Sequence, residues 1–409
     1  MSLITFRFYK GYFYFVFYWM IDLIDSLEKL IFENKQELNS LEYNFIYILS
    51  YNLSDLIAGF LVLYTYLKMK SISKEKEIKK TNKNNKIAYE LIYNDLSIKR
   101  NKYYLILLIS ALNFVPHLCL FLYNLFMPEK NPDRHDMDWV LTIDIFMRIL
   151  FTKVILKKNF YKHHKLGLIL NGIGFFFLTI VNIKRIYFGE YSKPIEAWIY
   201  FLFMLPQFIF FPLEEVINKV LLMDKFILPH SLMFMRGIIE FLFNIILSII
   251  LFSTSQISFE EIQIIFSDIH KIFRLILGII FQFFRYFIIM KVIYIFNPTY
   301  VTFLAIVDVI IDIINKLFIA KIHSFDFFFF LVCLSSFIIF LGALIFNEII
   351  IINAYGLEEG TKEGLLNRES IDKMGALELN DSTFNDETNI NEDLNDDNNN
   401  TRNNNDNSF

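Results

Sequence analysis

Apolar residues run through this chain in long blocks separated by short polar stretches. The blocks are about 18–25 residues long, enough at about 1.5 Å per residue to cross a hydrocarbon layer of about 30 Å. A soluble helix would break such a run with a polar face at helical period. The pattern predicts ten spans, at 6–25, 44–67, 103–127, 138–156, 166–183, 196–222, 231–253, 271–296, 300–320 and 327–350. The first has a short apolar stretch, Gly11 to Ile24, behind Arg7 and Lys10. Its bulky aromatics and missing small-residue cleavage site point to a retained helix rather than a signal peptide. The expected fold is an all-α polytopic membrane protein with a first helical half over 1–183, a second over 196–350, and a tail over 352–409. The tail ends in an Asn/Asp-rich stretch that cannot bury enough apolar surface to offset its ordering entropy, so disorder is expected there.

Composition agrees, with 55% hydrophobic and 18% aromatic residues and a mean hydropathy of +0.43. Phe, Ile, Asn, Lys and Tyr all have A/T-rich codons, so no function is read into runs such as Phe327 to Phe330. Cys119 and Cys333 sit singly in apolar blocks, which supports neither a disulfide framework nor a metal cluster. The net charge of −4 divides unevenly: from Ile352 onward there are 14 acidic and 4 basic residues, leaving the preceding part at +6. The loop 68–102 holds eleven Lys/Arg against four acids, and the loop 157–165 adds Lys157, Lys158, Lys162 and Lys165. The positive-inside rule places both loops, both termini and the acidic tail in the cytosol. Lys184, Arg185 and Lys193 run against this assignment, but the denser clusters outweigh them.

Two segments half a protein apart look alike. Ile143-Asp144-Ile145 leads to Arg148 and Thr152, and Val307-Asp308-Val309 leads to Asp312 and Lys316. They open the fourth and ninth spans. A repeat of five spans has odd parity, so its second copy inserts upside down, as in transporters that alternate access across a central site. Spacing at i, i+4, i+8 puts Asp144, Arg148 and Thr152 on one stripe, and Asp308, Asp312 and Lys316 on another. Charges in a bilayer are costly and usually face an interior cavity, so these six residues are the candidate substrate site. Arg148 suits an anionic group, and Asp308 or Asp312 a coupling proton. The competing reading is that each stripe is a neutralised ion pair that locks helices together, although apolar packing could replace such pairs at little loss.

The sixth span carries Pro206 and Pro212, expected to kink it, then Glu214, Glu215, Asn218 and Lys219. Spacing predicts Glu214–Asn218 and Glu215–Lys219 pairs near its cytosolic end, as a solvated gate or simple pairing. Arg236 and Glu240 repeat the spacing on the seventh span, Gln282 and Arg285 mark the eighth, and Asn52 and Asp55 the second. The fifth and tenth spans hold no mid-span charge. Gly167, Gly172, Gly174, Gly342 and Ala343 suit close packing there, so these two spans are expected to be outer elements, with a homodimer as one use. His163-His164 lies in a basic loop with no companion ligand and reads as solvated rather than metal-binding. No nucleophile, acid–base pair, phosphate-cradling loop or nucleic-acid motif appears, so neither an enzyme, a cofactor nor an ATP-driven pump is expected.

Three stretches carry a resemblance to the drug/metabolite transporter superfamily, in its solute carrier 35 F-type or EamA-like branch. They are Met147 to Thr152 with Lys157-Lys158 and Lys165-Leu166-Gly167; Glu214-Glu215 before Lys219, then Met235-Arg236-Gly237 leading to Phe241; and Asn297-Pro298-Thr299, Asp308 and Leu341 to Glu348. Together they cover most of 138–350. The resemblance implies ten helices in two inverted halves around a substrate cavity, and many relatives carry nucleotide sugars or other metabolites across endomembranes. Two positions depart from it: Ile311 and Asp312 follow Asp308 where an arginine is common, and Arg236 precedes the glycine where a glutamate is common. The expected function is a secondary solute transporter of an intracellular membrane that moves a small polar or charged metabolite. The alternative is a non-transporting scaffold or receptor acting through its cytosolic tail.

Overall fold

The computed structural model describes residues 4–6, 12–32, 41–77, 100–126, 138–188, 194–223, 227–257, 259–267, 269–302, 304, 327–357 and 361. Its helices are α1 (Phe13–Phe32), α2 (Leu41–Glu77), α3 (Arg100–Phe126), α4 (Asp138–Ile155), α5 (Lys162–Phe188), α6 (Pro194–Met223), α7 (Pro229–Ser253), α8 (Phe259–Ser267), α9 (Ile269–Ile295) and α10 (Phe327–Phe346). A 3-10 turn, Pro298–Tyr300, follows α9. Seven of the described helices are long and apolar enough to cross a membrane: α2, α3, α5, α6, α7, α9 and α10. This is compatible with a multi-pass membrane protein.

Several boundaries differ from the hydropathy reading. The first helix starts at Phe13 rather than near residue 6, because residues 4–6 form a strand. α2 runs on to Glu77, ten residues into the stretch read as a loop, since its Ser/Lys/Glu end is as helix-competent as the apolar part. α8 occupies what was read as connection. α4 carries Asp138, Asp144, Arg148 and Lys153, which keep it out of the apolar seven. The proposed ninth span, 300–320, lies largely outside the described residues.

The chain divides into two compact units, one comprising Met1–Arg7, Tyr161–His163 and Ile350–Phe409, the other Phe8–Phe160 and His164–Ile349. In the smaller unit, β1 (Ile4–Phe6) pairs antiparallel with β2 (Ile350–Ile352), Ile4 opposite Ile352. The fold is therefore not purely helical, and the expected tail start at 352 falls inside a strand. His163 is buried rather than solvated.

The larger unit is a helical bundle in which α2 packs on α7, α3 and α4 on α6, α9 on α1 and α2, and α3 on α7. Glycines let the closest pairs approach. A Cβ added to Gly237 would lie 2.8 Å from the Cβ of Asp55, and one added to Gly59 would meet the Phe234 ring, so α2 and α7 run antiparallel. On α5 and α10, a Cβ on Gly167 would lie 2.7 Å from the Gly342 carbonyl, and one on Gly174 3.0 Å from that of Ser335. These helices are antiparallel too, and the small-residue faces expected outside are used against each other within one chain. At the ends of α7 and α10 the non-glycine residues Ser255 and Glu348 take positive φ. There the Gln256 and Ile349 N–H groups donate back to the Leu251 and Leu344 carbonyls, closing the last turns.

The polarity of the bundle is inside out. Ile169, Ile173, Phe176, Ile180 and Ile183 on α5, and Leu242, Ile246, Ile249 and Ile250 on α7, are exposed, while Asn52, Asp55, Asn113, Arg236, Glu240 and Asn244 are at most 1% exposed. Water would select the opposite arrangement; lipid selects this one.

Candidate functional site

Two buried arginines organise the interior. Arg148 on α4 meets Asp144 one turn earlier on the same helix, Nη1 to Oδ2 at 2.6 Å. It also forms a fork with Glu215 on α6, Nε to Oε2 at 2.5 Å and Nη2 to Oε1 at 2.8 Å. A planar guanidinium can hold a carboxylate through two parallel bonds, which fixes the rotation of α4 against α6. Arg236 on α7 gathers carboxylates from three helices. Its Nη2 and Nε lie 2.5 and 2.6 Å from Asp55 Oδ2 on α2, its Nη1 donates to Glu214 on α6, and its Nε is 3.5 Å from Glu240 Oε1 on its own helix. Its guanidinium also lies over the Tyr286 ring of α9, 4.7 Å from the centroid.

Between the two arginines lies a cavity of about 280 Å³. Asp144, Arg148, Gln207, Glu214, Glu215, Asn218 and Arg236 give its lining polar groups, and Tyr18, Phe208, Phe211, Tyr286 and Met290 are among its apolar or aromatic ones. The prolines of α6 lie beside it, with the helix continuing through both. Proline removes an N–H and leaves the carbonyl four residues earlier without its helical donor, here at Leu202 and Phe208, and Phe208 lines the cavity. The arrangement can hold a small solute with both polar and flat apolar surface.

The expected stripe on α4 divides. Asp144 and Arg148 face this cavity, but Thr152 faces a smaller one of about 70 Å³, lined also by Lys158, Asn297 and Asn347. Thr152 lies about 12 Å along the helix axis from Asp144 and about 80° around it, which brings it to another level of the bundle. Asp308, Asp312 and Lys316 lie outside the described residues, and the counterions of Arg148 come instead from Asp144 and Glu215. On α6 the Asn218 Nδ2 donates to Glu214 Oε1 at 2.9 Å as spacing predicts. Glu215 does not pair with Lys219. Lys219 Nζ instead donates to the carbonyls of Ile293, Tyr294 and Phe296 at 2.7, 3.0 and 2.6 Å, capping the C-terminal end of α9. Both glutamates are buried, 4% and 8% exposed, rather than placed at a solvated rim. Gln282 and Arg285 are half-buried on α9, and neither is among the described residues lining the larger cavity; their neighbour Tyr286 is.

Sequence reasoning passed over Asn113 and Asn244. Asn113 Nδ2 donates to Glu240 Oε1 at 2.9 Å from α3. A signal was present: Ser110, Asn113 and His117 recur at i, i+3, i+7 in an otherwise apolar span, and Asn244 extends the Arg236–Glu240 stripe by one turn. A scan against protein-family models finds no match for the chain, and a search of curated proteins finds none either.

Proposed function

We propose that the chain is a secondary transporter of the drug/metabolite type, which moves a small polar or charged metabolite across an intracellular membrane by alternating access. The observation that carries this reading is the cavity among α4, α6, α7 and α9, with two ion-paired arginines in its wall. A scaffold acting through its tail has no use for such a chamber, and apolar packing would fill it more stably.

The packing pattern supports the ten-span, two-half reading. With α8 counted as a connection, α9 is the eighth span, and exchanging each span with the one five later maps contacts onto contacts. The α1–α9 contact maps to α6–α3, α2–α9 to α7–α3, and α2–α3 to α7–α9, while α2–α7 and α5–α10 map onto themselves. The two self-mapped pairs are antiparallel, as inversion requires. The α6–α9 contact has no counterpart of similar size between α1 and α3 among the described residues, and that of α4–α6 would involve the ninth span, which lies largely outside them.

The test is uptake of a metabolite panel into proteoliposomes of the full chain at two pH values. At least one solute accumulates, and the triple variant Asp144→Leu/Arg148→Leu/Glu215→Leu, which removes the charges together, lowers its uptake more than tenfold while remaining folded. Full uptake by a folded triple variant defeats the proposed site.

A further inference from the structure

Behind Arg236, on the side away from the cavity, α2, α3 and α7 enclose a second polar group that the substrate reading does not use. Antiparallel register brings Asn52 and Asp55 of α2 alongside Arg236 and Glu240 of α7, and Asn113 of α3 is tied to Glu240. Asn244 follows Glu240 by one turn on the same stripe. All five side chains other than Arg236 are at most 1% exposed. Each retains an oxygen with no hydrogen-bond partner: Asn52 Oδ1, Asp55 Oδ1, Asn113 Oδ1, Glu240 Oε2 and Asn244 Oδ1. The Nδ2 groups of Asn52 and Asn244 are equally unpartnered, so reversing either amide still leaves its oxygen available. Buried polar atoms are nearly always satisfied, and five free oxygens along the seam between α2, α3 and α7 are far outside that rule.

Charge points the same way. Within this layer Arg236 faces the carboxylates of Asp55 and Glu240, one positive charge against two negative, while Glu214 reaches Arg236 from the cavity side. A buried carboxylate without a counterion is expensive. Arg236 touches Asp55 Oδ2 and Glu240 Oε1, which leaves the other oxygen of each carboxylate for a second cation. A proton would satisfy one oxygen and leave the amides as they are. An alkali-metal ion takes five or six hard oxygen ligands. We propose that Asn52, Asp55, Asn113, Glu240 and Asn244 form a binding site for a monovalent alkali cation of the Na+ kind.

Among the described residues, the surroundings point to exchange on the side of Arg236. Further along the same three helices, Phe45, Ile46 and Ile48 of α2, Phe121 of α3 and Leu251 of α7 form a buried apolar cluster that seals the layer. At the other end stands Arg236, which itself lines the cavity. An ion leaves by way of the cavity, when Arg236 shifts, and this links ion occupancy to the state of the solute site. That coupling role rests on the transport reading above; the binding does not.

The experiment is calorimetric titration of NaCl into the purified full chain in choline chloride buffer with no solute present, alongside melting curves. Saturable Na+ binding is expected, with a rise in melting temperature. Glu240→Gln weakens it at least tenfold, and Asn244→Leu, which leaves the ionic contacts untouched, does so too and decides the matter if Glu240→Gln fails to fold. Three results overturn the proposal: no saturable Na+ binding by folded wild-type chain, wild-type binding by both variants, or uptake of a proton at Glu240 that Na+ does not displace. Because no solute is involved, failure here leaves the transport reading standing, and a failed uptake screen leaves the ion site standing.

Discussion

The arginines of α4 and α7 look alike in sequence, each in an i,i+4 pair with an acid, and they do different work. Arg148 is paired locally: one carboxylate lies on its own helix, the other is a single glutamate held in a fork, and removing all three leaves a hole in one wall. Arg236 is a junction. It ties α2, α6 and α7 together with Tyr286 of α9 against its face, and three carboxylates reach it where two reach Arg148. The difference shows that an intramembrane charge is understood through the number of helices that converge on it, more than through its nearest partner in sequence.

The comparison can be broken most directly at the junction. Arg236→Leu strands Asp55, Glu214 and Glu240 together, and breaking a buried pair of this kind costs about 3–5 kcal/mol. Loss of folded protein on detergent size-exclusion chromatography is the expected outcome, and Arg236→Lys rescues it only in part because a point charge cannot reach carboxylates on three helices. A well-folded Arg236→Leu chain would remove the distinction. Arg148→Leu alone is expected to lower the melting temperature by less, since two carboxylates rather than three lose their partner. Adding Asp144→Leu and Glu215→Leu recovers most of that loss, a reversal that double- and triple-mutant melting curves report directly. The smallest effect is expected at Lys219→Met. Losing its bonds to the three carbonyls closing α9 costs about 1.5–3 kcal/mol where each group stays buried and less where water replaces the ammonium, readable as faster hydrogen exchange at residues 293–296.

What was legible in the sequence follows from distance along the chain. Asp144–Arg148 and Glu214–Asn218 are set by one turn of helix and were readable from spacing alone. Glu215 had two possible partners, Lys219 one turn away and Arg148 on another helix, and local spacing pointed to the wrong one. The fork geometry of arginine and the open carbonyls at the end of α9 draw the two side chains apart. Asp55 and Arg236 are 181 positions apart, and nothing in either helix announces the other. Asn113 and Asn244 escaped because a single amide in an apolar span resembles tolerated noise until its neighbours are known. Span positions came through well where the blocks are apolar and poorly where polar residues continue a helix, as at the end of α2.

The contact between α5 and α10 has a mechanical consequence. Where Gly167 faces Gly342, backbone comes close to backbone, and the Asn171 side chain and the Phe346 Cβ fill the space beside them. Sliding along the seam is blocked, because the glycines pack against bulkier residues such as Ile339 and Phe346. Such a seam behaves as a fixed clasp. It holds α5 and α10 at backbone distance, and a bulky residue at Gly342 would force the two helices apart while leaving both arginine networks in place.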